Sequence, residues 1–206
     1  MEGLMMGLSD IIEANQKKII AIIPARGGSK RLKRKNIFPI WGKAMIHWAI
    51  KACKESKYVS DVWVSTEDEH VKSTALVNGA KVHDRDPKLA DDYVYKQEAI
   101  RAATTHISKK GRRPDVVISL QANSPEITAD ILDKAIEKFF KYNRNELIST
   151  NESGIQNAAF RILKYDYVFQ RDLSTKCGFF VCDLYDIHTL KDLEYVQGRT
   201  NRDPNT

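Results

Sequence analysis

Residues 19–36 constrain this chain more than any other stretch. Ile19-Ile20-Ala21-Ile22-Ile23 is an unbroken apolar run, and it passes directly into Pro24-Ala25-Arg26-Gly27-Gly28-Ser29-Lys30-Arg31-Leu32-Lys33-Arg34-Lys35-Asn36. A short apolar run bounded by Pro and Gly is the pattern of a strand buried on both faces. The loop after it is basic and carries two glycines, which let a backbone come close to a ligand and turn its N–H groups toward it. Arg26 and Lys30 can reach the same phosphate oxygens. Neither G-x-x-x-x-G-K-[ST] nor G-x-G-x-x-G is present, so this is neither a P-loop nor a dinucleotide fingerprint. A nucleotidyltransferase-type phosphate loop is the remaining functional reading, and a merely solvated basic loop is its rival.

Charge supports a local basic site. Seven Lys or Arg fall between Arg26 and Lys43 with no acid among them, which leaves 26 basic against 27 acidic residues elsewhere and accounts for the net +6. A nucleic-acid binder spreads its basic residues over a face with interleaved aromatics, which this chain does not do, so no nucleic-acid partner is expected. At 206 residues and 42% apolar content, one domain with a sizeable core is expected. Cys53, Cys177 and Cys182 lack zinc spacing and cannot all pair. They read as buried thiols of a reducing compartment, hence a cytoplasmic protein. No apolar run approaches the roughly 18 residues of a membrane span.

Strand and helix signals alternate along the chain. Strands are expected at 19–23, 61–65, 81–83, 116–120, 147–150, 159–163 and 178–182. Helices are expected at 44–56, after a Thr66/Glu69 capping box and before Gly79, through 95–106, from a Thr128 cap to Tyr142, and at 189–196. The order argues for a three-layer α/β/α fold, Rossmann-like, with a mostly parallel sheet and its ligand at the strands' carboxyl ends. Residues 1–16 read as an N-terminal extension, 17–198 as the single domain and 199–206 as a tail.

The motifs resemble the acylneuraminate cytidylyltransferase family, which includes the CMP-sialic acid synthetases and is related to the CMP-Kdo synthetases. Ile22-Ile23-Pro24-Ala25-Arg26-Gly27-Gly28-Ser29-Lys30 followed by Lys35-Asn36 is similar to the family's phosphate loop. In order follow Gly42-Lys43, Val64-Ser65-Thr66-Glu67-Asp68-Glu69, Gly79-Ala80, Arg85, Leu89-Ala90-Asp91-Asp92 and Leu120-Gln121-x-x-Ser124-Pro125. The resemblance implies a nucleotide-diphospho-sugar transferase-like fold and a CTP-dependent reaction. In it, the anomeric hydroxyl of an acidic sugar, sialic-acid-like or Kdo-like, attacks the α-phosphorus and releases pyrophosphate. Implied roles are catalytic for Arg26 and Lys30, and nucleotide-binding for Ala25, Gly27, Gly28, Ser29, Lys35, Asn36, Arg85 and Asp92. Gln121, Asn123 and Ser124 are implied at the substrate.

Each role has a plain structural alternative. Lys35 and Asn36 could only shape the loop, Arg85 could pair with Asp84 or Asp86, and Asp91 and Asp92 could cap a helix. The family's D-I-D-T motif, whose carboxylates hold Mg²⁺ (or Mn²⁺), stands here as Asp186-Ile187-His188-Thr189. Asp186 is thus the implied metal ligand, with His188 in place of the second carboxylate. His188 reads as a metal neighbour, a substrate contact or a satisfied residue at a helix start. Asn123 stands where the Kdo branch has another aspartate. The segment from Thr150 to Asp186, which in the family carries dimer contacts and part of the sugar pocket, is short, so the implied homodimer has less to rest on. A non-catalytic homologue that binds CTP or a CMP-sugar, or a transferase with another NTP or acceptor, is the alternative.

Overall fold

Ile19–Pro24 forms the expected strand β1, and Ile19 to Ile23 are fully buried. The computed structural model describes residues 13–91, 93–111, 113–200 and 202. After β1 come a short hairpin of β2 (Pro39–Ile40) and β3 (Lys43–Ala44), helix α1 (Met45–Glu55), β4 (Val59–Thr66), α2 (Glu69–Val77) and β5 (Lys81–Asp84). Then follow α3 (Lys96–Lys110), β6 (Val116–Leu120), α4 (Ala129–Lys141), β7 (Glu146–Thr150), β8 (Gln156–Lys164), β9 (Cys177–Val181) and α5 (Leu190–Arg199).

The main sheet has the order β5-β4-β1-β6-β8-β7-β9. It is mostly parallel, as expected: β8 alone runs antiparallel to both of its neighbours, β6 and β7. The short connection from β7 to β8 is the reason, since a parallel return needs a crossover of a dozen residues or more. The chain builds outward from β1 through β4 to β5, then returns to lay β6 on the other side of β1. That reversal opens a crevice at the carboxyl ends of β1 and β6.

Period-two alternation in β1 divides the core. Ile19, Ala21 and Ile23 face a cluster with Ile46, Ala49, Ile50 and Cys53 of α1 and Leu132, Ala135, Ile136 and Phe139 of α4. Ile20 and Ile22 face Ile100, Ala103 and Ile107 of α3. Three layers result. Burying each such Ile contributes about 1.5–3 kcal/mol before entropy is charged against it. A third cluster joins Leu32 of the basic loop, Ile40, Met45 and Trp48 to Ile187, Leu193 and Val196. It fastens α5 and the residues before it against the basic loop.

Some local expectations are corrected. Asp68, not Thr66, caps α2: its carboxylate accepts from Val71 N at 2.9 Å, while Thr66 Oγ1 accepts from Asp68 N. Asp68 is the residue that immediately precedes the helix, so its carboxylate, and not the Thr66 hydroxyl two residues earlier, meets the orphan N–H. Thr128 does cap α4, and Thr189 with Asp192 forms a capping box on α5. The β2–β3 hairpin was not anticipated; Trp41 and Gly42, both at positive φ, form its two-residue turn. All three cysteines are free thiols, but Cys177 at the edge strand is only half-buried. Past residue 198 the chain stays tied to the domain: Arg199 Nε and Thr200 Oγ1 both donate to Glu126 Oε1, at 2.8 and 2.6 Å. Of the expected N-terminal extension, residues 1–12 lie outside the described residues, and Ala14 is buried in the core.

Candidate active site

Four parallel strands, β1, β4, β5 and β6, end on one edge of the sheet. Their exits deliver Arg26, Glu67, Arg85 and Gln121. The cavity there has a volume of about 520 Å³. Its wall carries six cations, Arg26, Lys30, Arg31, Lys35, Arg85 and Lys96, against one carboxylate, Asp91.

Glu67 organises the loop. Its Oε1 accepts the Gly27 N–H at 2.8 Å, while Oε2 accepts from Arg85 Nε at 3.1 Å and also from Arg85 Nη2. Burial works to raise the Glu67 carboxyl, but the Arg85 and Gly27 hydrogen bonds outweigh it and hold the group below its ordinary value. Asn36 fastens the other end of the loop by donating Nδ2 to the Arg26 carbonyl at 2.8 Å. Arg26 Nη1 donates to Ala90 O at 3.2 Å.

The residues expected at the nucleotide divide into two groups. Arg26, Ser29, Lys30, Lys35, Asn36 and Arg85 line the cavity. Ala25 does not: it is fully buried and its N–H donates to Ser65 O at 3.0 Å. Nor is the expected row of backbone donors available, because Gly27 N–H goes to Glu67 and Ser29 N–H to Gly27 O. Gly28 alone of the three keeps an N–H without an internal partner among the described residues. Gly27 is required for packing, since a Cβ there would meet Asp68 Oδ2 at 2.3 Å; at Gly28 the space is open. Arg85 is ion-paired, but with Glu67 rather than Asp84 or Asp86: Asp84 binds Lys72, and Asp86 accepts from Lys88 N. Asp91 forms a turn with Tyr93 N and reaches the cavity wall; Asp92 lies outside the described residues.

Gln121 and Asn123 line the cavity, but Ser124 is buried and spends its hydroxyl on Asp186 Oδ1. Ser124 therefore orients Asp186 and offers nothing to a sugar. Asn123 is pinned in both directions to Ile187, donating Nδ2 to its carbonyl at 3.1 Å and accepting its N–H at 2.9 Å. These bonds lay 186–188 along the exit of β6. His188 N and Thr189 N both donate to Asp192 Oδ2 at 2.8 Å, so the capping box of α5 fixes the same segment from its other side.

Three side chains were not singled out from sequence. Arg31 was counted only in the basic run. Glu67 was quoted as part of a motif, without a role. Lys96 falls within the helix expected at 95–106 and was given no role. An acid directly after a parallel strand was the signal available for Glu67; nothing local distinguishes Lys96.

Electrostatics marks the region around Asp186. Burial raises its pKa, against the opposing pull of the Ser124 hydrogen bond and of Lys96 and Lys35. Lys35 is lowered to about 8, by burial first and then by Arg31 and Arg26, with Asp186 opposing. Lys96 is reached by solvent, yet crowding by surrounding protein lowers it, with Asp186 again opposing. His188 Nδ1 lies 3.3 Å from Arg31 Nη2. A guanidinium only donates, so the imidazole accepts there and is neutral. Burial, Lys35 and Arg31 all lower its pKa.

No group of three His, Cys, Asp or Glu that could hold a metal exists among the described residues. His188, engaged with Arg31 and set among cations, does not fit a hard divalent ion. Asp186 does: one of its oxygens is held by Ser124, and its burial is a cost that a bound cation offsets. Magnesium is commonly held by one or two carboxylates together with substrate phosphates and water. The residues present fit that one-carboxylate form.

A family model described as cytidylyltransferase matches residues 20–170. The chain is 37% identical over 136 residues to the pseudaminic acid cytidylyltransferase of Campylobacter jejuni, covering 66% of this chain and 59% of that protein. It is 37% identical over 133 residues to N-acylneuraminate cytidylyltransferase A of Danio rerio, covering 65% of this chain and 30% of that protein. The chain thus spans under two thirds of the length of either relative. In fold it is similar to a CMP-2-keto-3-deoxy-manno-octonic acid synthetase solved with CTP (TM-score 0.70, 17% identity, 88% of this chain and 98% of that one). It also resembles a Mycobacterium tuberculosis protein solved as a manganese complex (TM-score 0.63, 10% identity, 89% and 100%). The match over residues 20–170 takes in β1, the basic loop, Glu67, Arg85 and the exit of β6, and on that match the chain belongs to the cytidylyltransferase family.

Proposed function

We propose that this chain transfers CMP from CTP to an acidic sugar, of the sialic-acid-like nonulosonate or Kdo-like class, and releases pyrophosphate. The observation that carries the reading is the cationic wall at the carboxyl ends of β1, β4, β5 and β6. The sugar's anomeric oxygen bonds to the α-phosphorus, the bond from that phosphorus to the bridging oxygen breaks, and pyrophosphate and a proton leave. Charge grows on the departing pyrophosphate. Arg26 and Lys30 are placed to stabilise it, and Lys35 and Arg31 extend the same field. The Ser29 hydroxyl and the Gly28 N–H add donors, and Arg85, fixed by Glu67, faces the nucleotide. Mg²⁺ or Mn²⁺ bound at Asp186 would polarise phosphate oxygens. Gln121 and Asn123 border the acceptor.

We read the single domain, with Ala14 in its core and Arg199 and Thr200 tied to Glu126, as the unit that does this, as a cytoplasmic enzyme and as a homodimer. The three free thiols support the cytoplasmic reading. No helix among the described residues is long and apolar enough to cross a membrane. A second reading, a non-catalytic binder of CTP or a CMP-sugar, draws support from His188 standing where a second carboxylate would complete a metal site.

Calorimetry with the four NTPs, followed by pyrophosphate release with Mg²⁺ or Mn²⁺ and a panel of nonulosonic acids and Kdo, tests these readings. CTP preference with turnover is expected. CTP preference without turnover selects the second reading, and equal affinity for CTP, UTP and ATP removes the cytidylyl assignment.

A further inference from the structure

Lys96 opens α3 and lines two cavities at once. The second has a volume of about 460 Å³ and shares Val94, Lys96 and Gln121 with the first. The two therefore meet at Lys96 and Gln121. The far walls of the second cavity carry Gln97, Ser119 and Gln156 with Phe160 and Ala158, a mixture of amides, hydroxyl and apolar faces suited to a polyhydroxylated ring. Its other cation, Arg161, is already paired with Glu146, which is buried. Lys96 makes no hydrogen bond or ion pair among the described residues, and Asp186 and Arg161 both act on its charge, the first favouring it and the second opposing it.

We propose that Lys96 receives the carboxylate of the acceptor sugar at the junction of the two cavities. This rests on the reading of the larger cavity as the CTP site. In a 2-keto sugar acid the carboxylate and the attacking hydroxyl share one carbon. When that hydroxyl reaches the α-phosphorus, the carboxylate lies within a few ångströms of the triphosphate and is repelled by it. A cation between the cavities removes the repulsion and fixes which side of the anomeric carbon faces CTP. An aldose has no such group to present, so Lys96 selects 2-keto acids over neutral sugars.

The test measures acceptor binding by calorimetry in the presence of a non-hydrolysable CTP analogue. N-acetylneuraminic acid, pseudaminic acid and Kdo are each compared with their methyl esters, in wild type, Lys96→Met and Lys96→Arg. Wild type is expected to prefer acid over ester by about 10- to 100-fold, the range of a hydrogen bond to a charged group. Lys96→Met should lose most of that ratio and Lys96→Arg should restore part of it; taking the ratio cancels any effect on the nucleotide. An unchanged ratio in Lys96→Met, or no acid preference in wild type, overturns the proposal. The nucleotide titration stands apart: CTP bound with no acid preference defeats Lys96 alone, whereas failure to bind CTP defeats the reading of the larger cavity as well.

Discussion

Replacing Glu67 by Ala removes the single side chain that holds both the phosphate loop and Arg85. The side chains of Arg85 and Glu67 are 4% and 18% exposed, which decides the size of the effect. An exposed pair would be worth about 0–1 kcal/mol. Deleting one partner of a buried pair leaves an uncompensated charge and costs about 3–5 kcal/mol. For a chain of this length that corresponds to a fall in Tm of about 6–20 °C. Thermal unfolding measures it directly. Glu67→Leu combined with Arg85→Met should cost less than the sum of the single changes, because neither charge is left unpaired.

The same pair predicts a pH dependence. Glu67 is held below its unfolded value, so its stabilisation is complete above about pH 4.3 and is lost as pH falls through the lower folded pKa. Wild type should lose this part of its stability on acidification, and Glu67→Gln should not. A Tm drop under about 3 °C in Glu67→Ala would show the pair to be solvated and would refute the reasoning.

Three further outcomes are expected. Arg26→Ala and Lys30→Ala should each reduce turnover by about 10²-fold or more with the fold intact, the usual effect of removing a donor aimed at developing charge; unchanged turnover and CTP affinity in both would reduce the motif to a solvated loop. Lys35, lowered to about 8, should lose its charge in the free protein as pH rises through that value, so CTP affinity should fall there and the Lys35→Met variant should lack the inflection. Its contribution to stability has the opposite sign: the folded state holds fewer protons than the unfolded between about pH 8 and 10.4, so this term improves as pH rises across that window. Asp186→Asn should raise the Mg²⁺ concentration for half-maximal turnover and His188→Asp should lower it; undiminished Mg²⁺-dependent turnover in Asp186→Asn would defeat the metal assignment.

The fold was legible where burial speaks through periodicity. β1 and β6 are buried on both faces and read as a continuous and a largely apolar run, and α4 shows its inward face plainly. The hairpin at residues 39–44 was not, because two-residue strands carry no period. The candidate site was legible at Arg26, Lys30 and Lys35, where charge density and glycines coincide on one loop. It was illegible where one side chain serves another. Ser124 was read as a sugar contact because nothing in the chain announces that its hydroxyl is spent on Asp186, 62 residues away. Gly27 was read as a point of close ligand approach, whereas the space it leaves is taken by Asp68. Lys96 needed the third dimension altogether, since only the docking of α3 against the sheet brings it to a cavity wall with Gln121.

These long-range fastenings explain how a wall of six cations stays in place before any anion arrives. Mutual repulsion and desolvation, seen in the lowered Lys35, would drive the loop outward. Against this stand the Glu67 clamp on Gly27 and Arg85, the Asn36 bond to Arg26 O, and the apolar cluster that joins Leu32 to Ile187 and Leu193. None of these bonds involves a phosphate ligand, so the geometry persists without one, and little reorganisation remains to be done when the polyanion enters. Binding then relieves the repulsion that the scaffold had been opposing. A ligand bound only by the folded state adds about 2.7 kcal/mol of stability at a hundred times its Kd. Because the relieved term is electrostatic, that gain should shrink as salt screens the wall. A clamp variant such as Glu67→Ala should therefore recover more stability from saturating CTP than wild type does, since the ligand replaces the counter-charge that the mutation removed.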